Sequence, residues 1–171
     1  MSTERFFIAD PYNDEHIRLF TEFEETNGIT TVTSTLLRNI RQTRTEEKYK
    51  EEVKESNEMH QSLFLQDDNS ITDTCHIQAE KDMKSCRIFF APIIPSSHNR
   101  RLVRLATDYA FDVLGMEDIF VTVTSGGTDQ ILIENLEAKG FENLGEDEGS
   151  ITYLKEKEII KETGKGNAMA A

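Results

Sequence analysis

Between Ala91 and Phe111 the chain reads APIIPSSHNRRLVRLATDYAF. Its first part closes an apolar, β-rich run, Ser85 to Ile94, which ends beside prolines that have no N–H for a sheet ladder. Its second part opens the clearest helix in the chain, His98 to Gly115. Leu102, Leu105, Tyr109 and Val113 form one stripe, widened by Ala106 and Ala110, with Gly115 at the C-cap. Strand, turn and long amphipathic helix therefore follow one another directly. Ser96 and Ser97 are cap-competent, so the spacing predicts backbone N–H groups emerging unpaired at the turn. Arg100, Arg101 and Arg104 fall in the first helical turns, where each cation opposes the helix dipole by roughly 0.3–1 kcal/mol. A bound anion such as a phosphate resolves that conflict, because it pairs with arginines and free N–H groups alike. Carboxylates on a neighbouring acidic surface resolve it equally well.

That local basicity stands against the rest of the chain. Over 171 residues, 19 Lys+Arg face 32 Asp+Glu, a net charge of −13. Such a surface repels phosphate backbones and anionic lipid, which disfavours nucleic acid and membranes and favours a cationic partner. Hydrophobic residues make up 37% and aromatics 8%, enough for a packed core. MSTERFFIAD does not read as a signal peptide, and no apolar run approaches the roughly 18–20 residues that span a bilayer. Cys75 and Cys86 form neither a CxxC site nor a disulfide framework. A reducing, cytoplasmic setting is the expectation.

Outward from the turn, the remaining elements read off in order. RFFIAD (Arg5 to Asp10) is a first strand, and Asn13 caps a helix with Ile17, Leu19, Phe20 and Phe23 inward and Asn27-Gly28 at its end. A second helix begins near Ser34, with Leu36, Leu37 and Ile40 inward, and continues into the charged run RQTRTEEKYKEEVKESNE, a solvated helix or mobile segment. Strands at His60–Gln66, Ser70–Ala79 and Ser85–Ile94 make an antiparallel meander. After the long helix, EDIFVTVTS is a strand, and Thr128 caps a helix carrying Ile131, Ile133 and Leu136 that ends at Gly140. FENL and SITYLKEK close the chain as a hairpin. The expected class is α+β: a mixed, mostly antiparallel sheet flanked by helices, ordered βααβββαβαββ. Residues 1–157 are expected to form one domain, and 158–171 a disordered tail.

The frame IIPSSHNRRLVRL, with Ile93 and Pro95, and the outline IFVTVTSGGTDQILIENLEAKGF, closing on Gly140-Phe141, resemble the GNAT superfamily of N-acetyltransferases. The resemblance runs from Arg5 to about Lys157 and is strongest from Ile88 to Phe141. It implies an acyl-CoA N-acyltransferase fold and acetyl-CoA as co-substrate. The implied activity is direct acetyl transfer to an amine, a cationic small molecule or a peptide. In that alignment the turn's arginine becomes His98, and its glycines become Asn99, Arg101 and Val103. The asparagine of the second motif falls at Asp129 and its tyrosine at Leu136. The implied cofactor-binding residues are Ile93, Ile94, His98, Asn99, Arg100, Arg101, Leu102, Val103, Arg104 and Asp129. A homodimer is compatible with the resemblance.

Acetyl transfer needs a base for the amine and a proton source for the leaving thiolate. His76 and Glu80 are the candidate bases, placed by the resemblance near the cleft where two strands splay. Tyr153 on the last strand is the candidate acid. Each also has a plain reading: His76 as a half-exposed strand residue, and Tyr153 as packing with a wet hydroxyl. His16, His60, His76 and His98 show no metal-ligand spacing, so no metal is expected. Ser125-Gly126-Gly127-Thr128 lacks phosphate-loop spacing and reads as a turn. Phe6, Phe20 and Phe23 read as core. Two other readings stay open: a member of the fold that binds CoA or a protein partner without turnover, and an unrelated interaction module using the charged 38–58 segment.

Overall fold

Asn13 starts the first helix by accepting the His16 N–H on its side chain at 3.1 Å, and Gly28, at φ 62°, ends it in the left-handed conformation. In this computed structural model, which describes residues 5–95, 97–124 and 129–158, strand β1 (Arg5–Ile8) precedes that helix, α1 (Asp14–Asn27). Thr31 then caps α2 (Val32–Thr43), with its Oγ1 3.0 Å from the Ser34 N–H.

The second helical stretch is two helices, not one. Arg44 is extended, at φ −136° and ψ 147°, and Thr45 caps a separate α3 (Glu46–Glu55) with two glutamates in its first turn. The signal was a threonine directly ahead of paired acids in the middle of an otherwise continuous polar run.

Strands β2 (Glu58–Asp67), β3 (Ser70–Glu80) and β4 (Ser85–Phe90) form the expected antiparallel meander. β4 stops at Phe90 rather than Ile94. The Ala91 N–H makes the last bond to β3, at Thr74 O, and Pro92 has no N–H with which to continue. Helix α4 (Asn99–Asp112), strand β5 (Asp118–Thr124), helix α5 (Gln130–Lys139) and the hairpin β6 (Glu142–Asp147) and β7 (Ser150–Glu156) complete the order. The α4 cap lies at Val113, not Gly115, and Val113 is 66% exposed, outside the apolar stripe. Leu132 and Leu136 carry the buried side of α5, while Ile131 is 57% exposed. The expected caps Ser96 and Thr128, the 125–128 turn and residues 159–171 lie outside the described residues.

One seven-stranded sheet runs β1-β2-β3-β4-β5-β7-β6 and is antiparallel except between β4 and β5. Side chains alternate across it, as the pleat requires. Leu63, Leu65, Cys75, Ile77, Cys86, Ile88, Ile119, Val121 and Tyr153 join Leu102, Ala106, Ala110 and Leu136 of α4 and α5 on one face. Phe64 and Ile71 meet Leu19, Phe20, Phe23 and Leu37 of α1 and α2 on the other. Each such Leu or Phe contributes about 1.5–3 kcal/mol by leaving water. The parallel pair is short: only Ser85, Cys86 and Arg87 pair with Asp118, Ile119 and Phe120. Beyond Arg87 the two strands diverge, and the sheet opens as a fork at its centre.

Candidate functional site

A cleft of about 880 Å³ lies where β4 gives way to α4, between the start of α4 and the outer side of α5. Ile93, Ile94, His98, Asn99, Arg100, Arg101 and Arg104 line it from the turn and α4; Ile131, Asn135 and Lys139 line it from α5. Helical spacing explains the α5 contribution, since positions four and eight residues after Ile131 share its face. Arg100 and Arg104 are exposed, and neither pairs with a carboxylate among the described residues. Asn99 is buried, and its Oδ1 accepts a 2.8 Å hydrogen bond from Asn135 Nδ2, tying the two helices together at the cleft. Lys139 donates to Asp108 at 2.9 Å.

The side chains of three expected binders turn away from the cleft. Leu102 and Val103 are core residues, each 1% exposed, so their side chains do not face the cleft. Asp129 turns back to accept the Thr124 N–H at 2.9 Å. The expectation of unpaired N–H groups at the turn is also corrected. Asp73 of β3, buried beneath the turn, accepts the His98 N–H at 2.6 Å on Oδ2 and the Ser97 hydroxyl on Oδ1. Burial pushes the Asp73 carboxyl above its ordinary value, with the Ser97 and His98 hydrogen bonds opposing that rise. A carboxylate at this end of α4 offsets part of the dipole conflict created by the arginines.

His76 lies at the fork. It pairs across the sheet with Phe89, beyond the last β4–β5 pair, and faces the α1–α2 side. It is 4% exposed, not half-exposed. Its Nδ1 is 2.9 Å from Ser62 Oγ, its Nε2 is 3.0 Å from His60 Nδ1, and His60 Nε2 is 3.2 Å from Glu58 Oε1. One tautomer assignment satisfies all three contacts: Ser62 donates to His76, His76 to His60, and His60 to the Glu58 carboxylate. Burial first, and the adjacent His60 second, push the His76 imidazole down to about 4. It is therefore neutral at pH 7. His60 and Ser62 escaped the sequence reading, although their i, i+2 spacing on a strand places them on one face.

Glu80 is not with His76. Four residues along the strand separate them, about 13 Å at a strand's rise, and Glu80 is exposed beside Met83 and Ser85, where β4 begins and the fork is closed. Tyr153 is 1% exposed on the opposite face of the sheet, its hydroxyl 3.4 Å from Glu137 Oε2. Burial, together with Glu137, raises its hydroxyl above the ordinary value. The two cysteines are buried thiols, and burial pushes Cys86 up to about 12 and Cys75 upward as well. Among the described residues, no group of three His, Cys, Asp or Glu side chains is placed to hold a metal, and no helix is long and apolar enough to cross a membrane.

No protein-family model matches the sequence, and no characterised protein matches it by sequence. Solved structures do match by shape. The N-acetyltransferase PseH of Campylobacter jejuni aligns at 13% identity over 91% of this chain and 99% of its own, with a TM-score of 0.60, and the same protein is known in complex with acetyl coenzyme A. The ribosomal-protein-S5-alanine acetyltransferase of Vibrio fischeri aligns at 13% identity over 91% and 96%, with a TM-score of 0.67. A dodecameric spermidine N-acetyltransferase from Vibrio cholerae aligns at 13% identity over 90% and 93%, with a TM-score of 0.61. With a seven-stranded sheet forked between its parallel strands and a helix springing from the fork, the chain has the fold of the GNAT N-acetyltransferases.

Proposed function

We propose that this protein transfers the acetyl group of acetyl-CoA to an amine. The observation that carries the reading is the basic cleft at the start of α4, on a chain of net charge −13, opening beside the fork that holds His76. Arg100 and Arg104, with Arg101 beside them, hold the phosphates of CoA by charge-assisted hydrogen bonds. Ile93 and Ile94 offer apolar contact to the pantetheine arm. The acyl group enters the fork from there.

The nitrogen of the acceptor attacks the thioester carbonyl carbon, the C–S bond breaks, and an amide forms. The Ser62 hydroxyl takes the proton that the nitrogen sheds while passing its own to His76 Nδ1; His76 gives up its Nε2 proton to His60, and His60 hands its own to Glu58 at the surface. His76, pushed so low, is a weak base, and the onward contact to His60 offsets that weakness. The thiol of CoA, with an ordinary value near 8.5 for its class, leaves as thiolate and takes a proton from water. Tyr153 and Glu80 have no part in this scheme.

A second reading, a CoA binder without turnover, draws on one observation. Asp73 already occupies the His98 N–H at the head of α4, so less backbone is left for the pyrophosphate. The two readings part on a simple assay. Acetyl-CoA stabilises the protein in both, while loss of the thioester against a panel of amines belongs to the first alone. No stabilisation at millimolar acetyl-CoA overturns both.

A further inference from the structure

The acidic balance of the whole chain predicts a cationic acceptor, but the second large cavity has the opposite local charge. It measures about 410 Å³ and lies between α2, α3 and the first two strands. Its walls are apolar: Ile8, Leu36, Leu37, Ile40, Tyr49 and Val53. Besides the Tyr49 hydroxyl, its ionisable lining consists of Lys50 and Lys54 on α3 and the two histidines, His60 and His76, with no carboxylate among the described lining residues. Glu46 reaches Lys50 only at 3.6 Å, from the preceding turn of the helix. Glu58 stands beyond His60, engaged by it at 3.2 Å. The Lys54 ammonium makes no hydrogen bond or ion pair among the described residues. Lys81 adds a third cation beside this end of α3, donating to the carbonyls of Val53 and Lys54.

His76 joins this cavity to the fork. It also lines a small pocket of about 90 Å³ with Phe89, Phe90, Ala91 and Pro92, the residues that lead from β4 toward Ile93 and the basic cleft. A molecule seated in the apolar cavity thus presents one end to His76 and the other to the lysines of α3. Taking a cation into such a lining places it beside like charges at the cavity's lysine end. A carboxylate finds two ammonium groups instead.

We propose that this cavity holds the acceptor, and that the acceptor is an amine with an apolar body and a carboxylate, as in an amino acid with a large apolar side chain. This rests on the acetyl-transfer reading for the word acceptor, but not for the binding itself. The test is therefore a binding measurement on the full chain without acetyl-CoA. Calorimetric titration with L-phenylalanine, phenethylamine and spermidine is expected to give at least tenfold tighter binding for L-phenylalanine than for either amine lacking a carboxylate. In the Lys50→Ala, Lys54→Ala double variant, both changes being on an exposed helix face, L-phenylalanine should fall to the level of phenethylamine. Lys54→Glu should bring spermidine level with or ahead of L-phenylalanine. Spermidine or phenethylamine binding as tightly as L-phenylalanine to the unaltered protein overturns the inference, as does a preference that survives both lysine changes. If the preference holds while acetyl-CoA neither stabilises the protein nor loses its thioester, the transfer reading fails and the binding site stands. If acetyl-CoA is consumed but the preference is missing, this inference alone fails.

Discussion

At His76 both ring nitrogens are engaged and the ring is almost wholly buried, so its charge state is set by the fold. The folded value of about 4 lies below the ordinary 6.5. As pH falls below 6.5 the unfolded chain takes up a proton that the folded protein refuses. The stability contributed by a neutral His76 is thus fully present above 6.5 and is lost between 6.5 and about 4, on the order of 3 kcal/mol in all. Urea unfolding across that window should show the loss in the unaltered protein and a flatter profile in His76→Gln. The same substitution should cut the turnover of acetyl-CoA with an amine by about 10²-fold or more, the usual contribution of a positioned base. Unchanged turnover would remove His76 from the mechanism. Asp73 makes a second residue-scale prediction. Asp73→Ala leaves the His98 N–H and the Ser97 hydroxyl without their acceptor, and should cost about 1–3 kcal/mol in the same unfolding experiment.

The elements respond to changes at their ends. Gly28 ends α1 at φ 62°, and a Cβ there would meet no atom within 4 Å, so Gly28→Ala tests backbone conformation alone. It should lower stability by roughly 1–2 kcal/mol, read from the shift in the urea midpoint. At the other functional helix, Arg100→Ala with Arg104→Ala should weaken acetyl-CoA binding at least tenfold and reduce its salt dependence, with little change in stability, since both side chains are exposed. The elements most legible in the sequence were those with strong punctuation. Asn13 and Gly28 bounded α1, and the alternating apolar runs of β2 and β3 gave the meander. The division between α2 and α3 was less legible because Thr43 and Thr45 both offer a cap signal inside a run of charge, and Thr45 alone serves. The end of β4 was misjudged because Ile93 and Ile94 look like strand but follow Pro92.

For the molecule as a whole, periodicity and caps, being local properties of the chain, were enough for the α+β class and the element order, while the finer fold came from the resemblance carried by the strand, turn and long-helix frame. The site was only partly legible. Arg100, Arg101 and Arg104 stood out as a basic cluster at a helix start, and His76 came in through the resemblance, as a residue near the splayed strands. Partners supplied across the sheet or from another helix left no local trace: Asp73 under the turn, His60 and Ser62 beside His76, and Asn135 against Asn99. Tyr153 and Glu80 failed as candidates for a geometric reason, one facing the wrong side of the sheet and the other standing at the closed end of the fork. Net charge behaved in the same way, since −13 describes the surface at large and neither of the two main cavities, both of which are lined by cations and have no carboxylate among their described lining residues. The central claim is that the basic cleft holds acetyl-CoA for transfer. Thermal unfolding with acetyl-CoA, paired with an assay of thioester loss against amines, tests it most directly. Ligand at 100 times its dissociation constant should stabilise the protein by about 2.7 kcal/mol, with thioester consumed only when an amine is present. An unfolding curve unmoved at millimolar acetyl-CoA would contradict it.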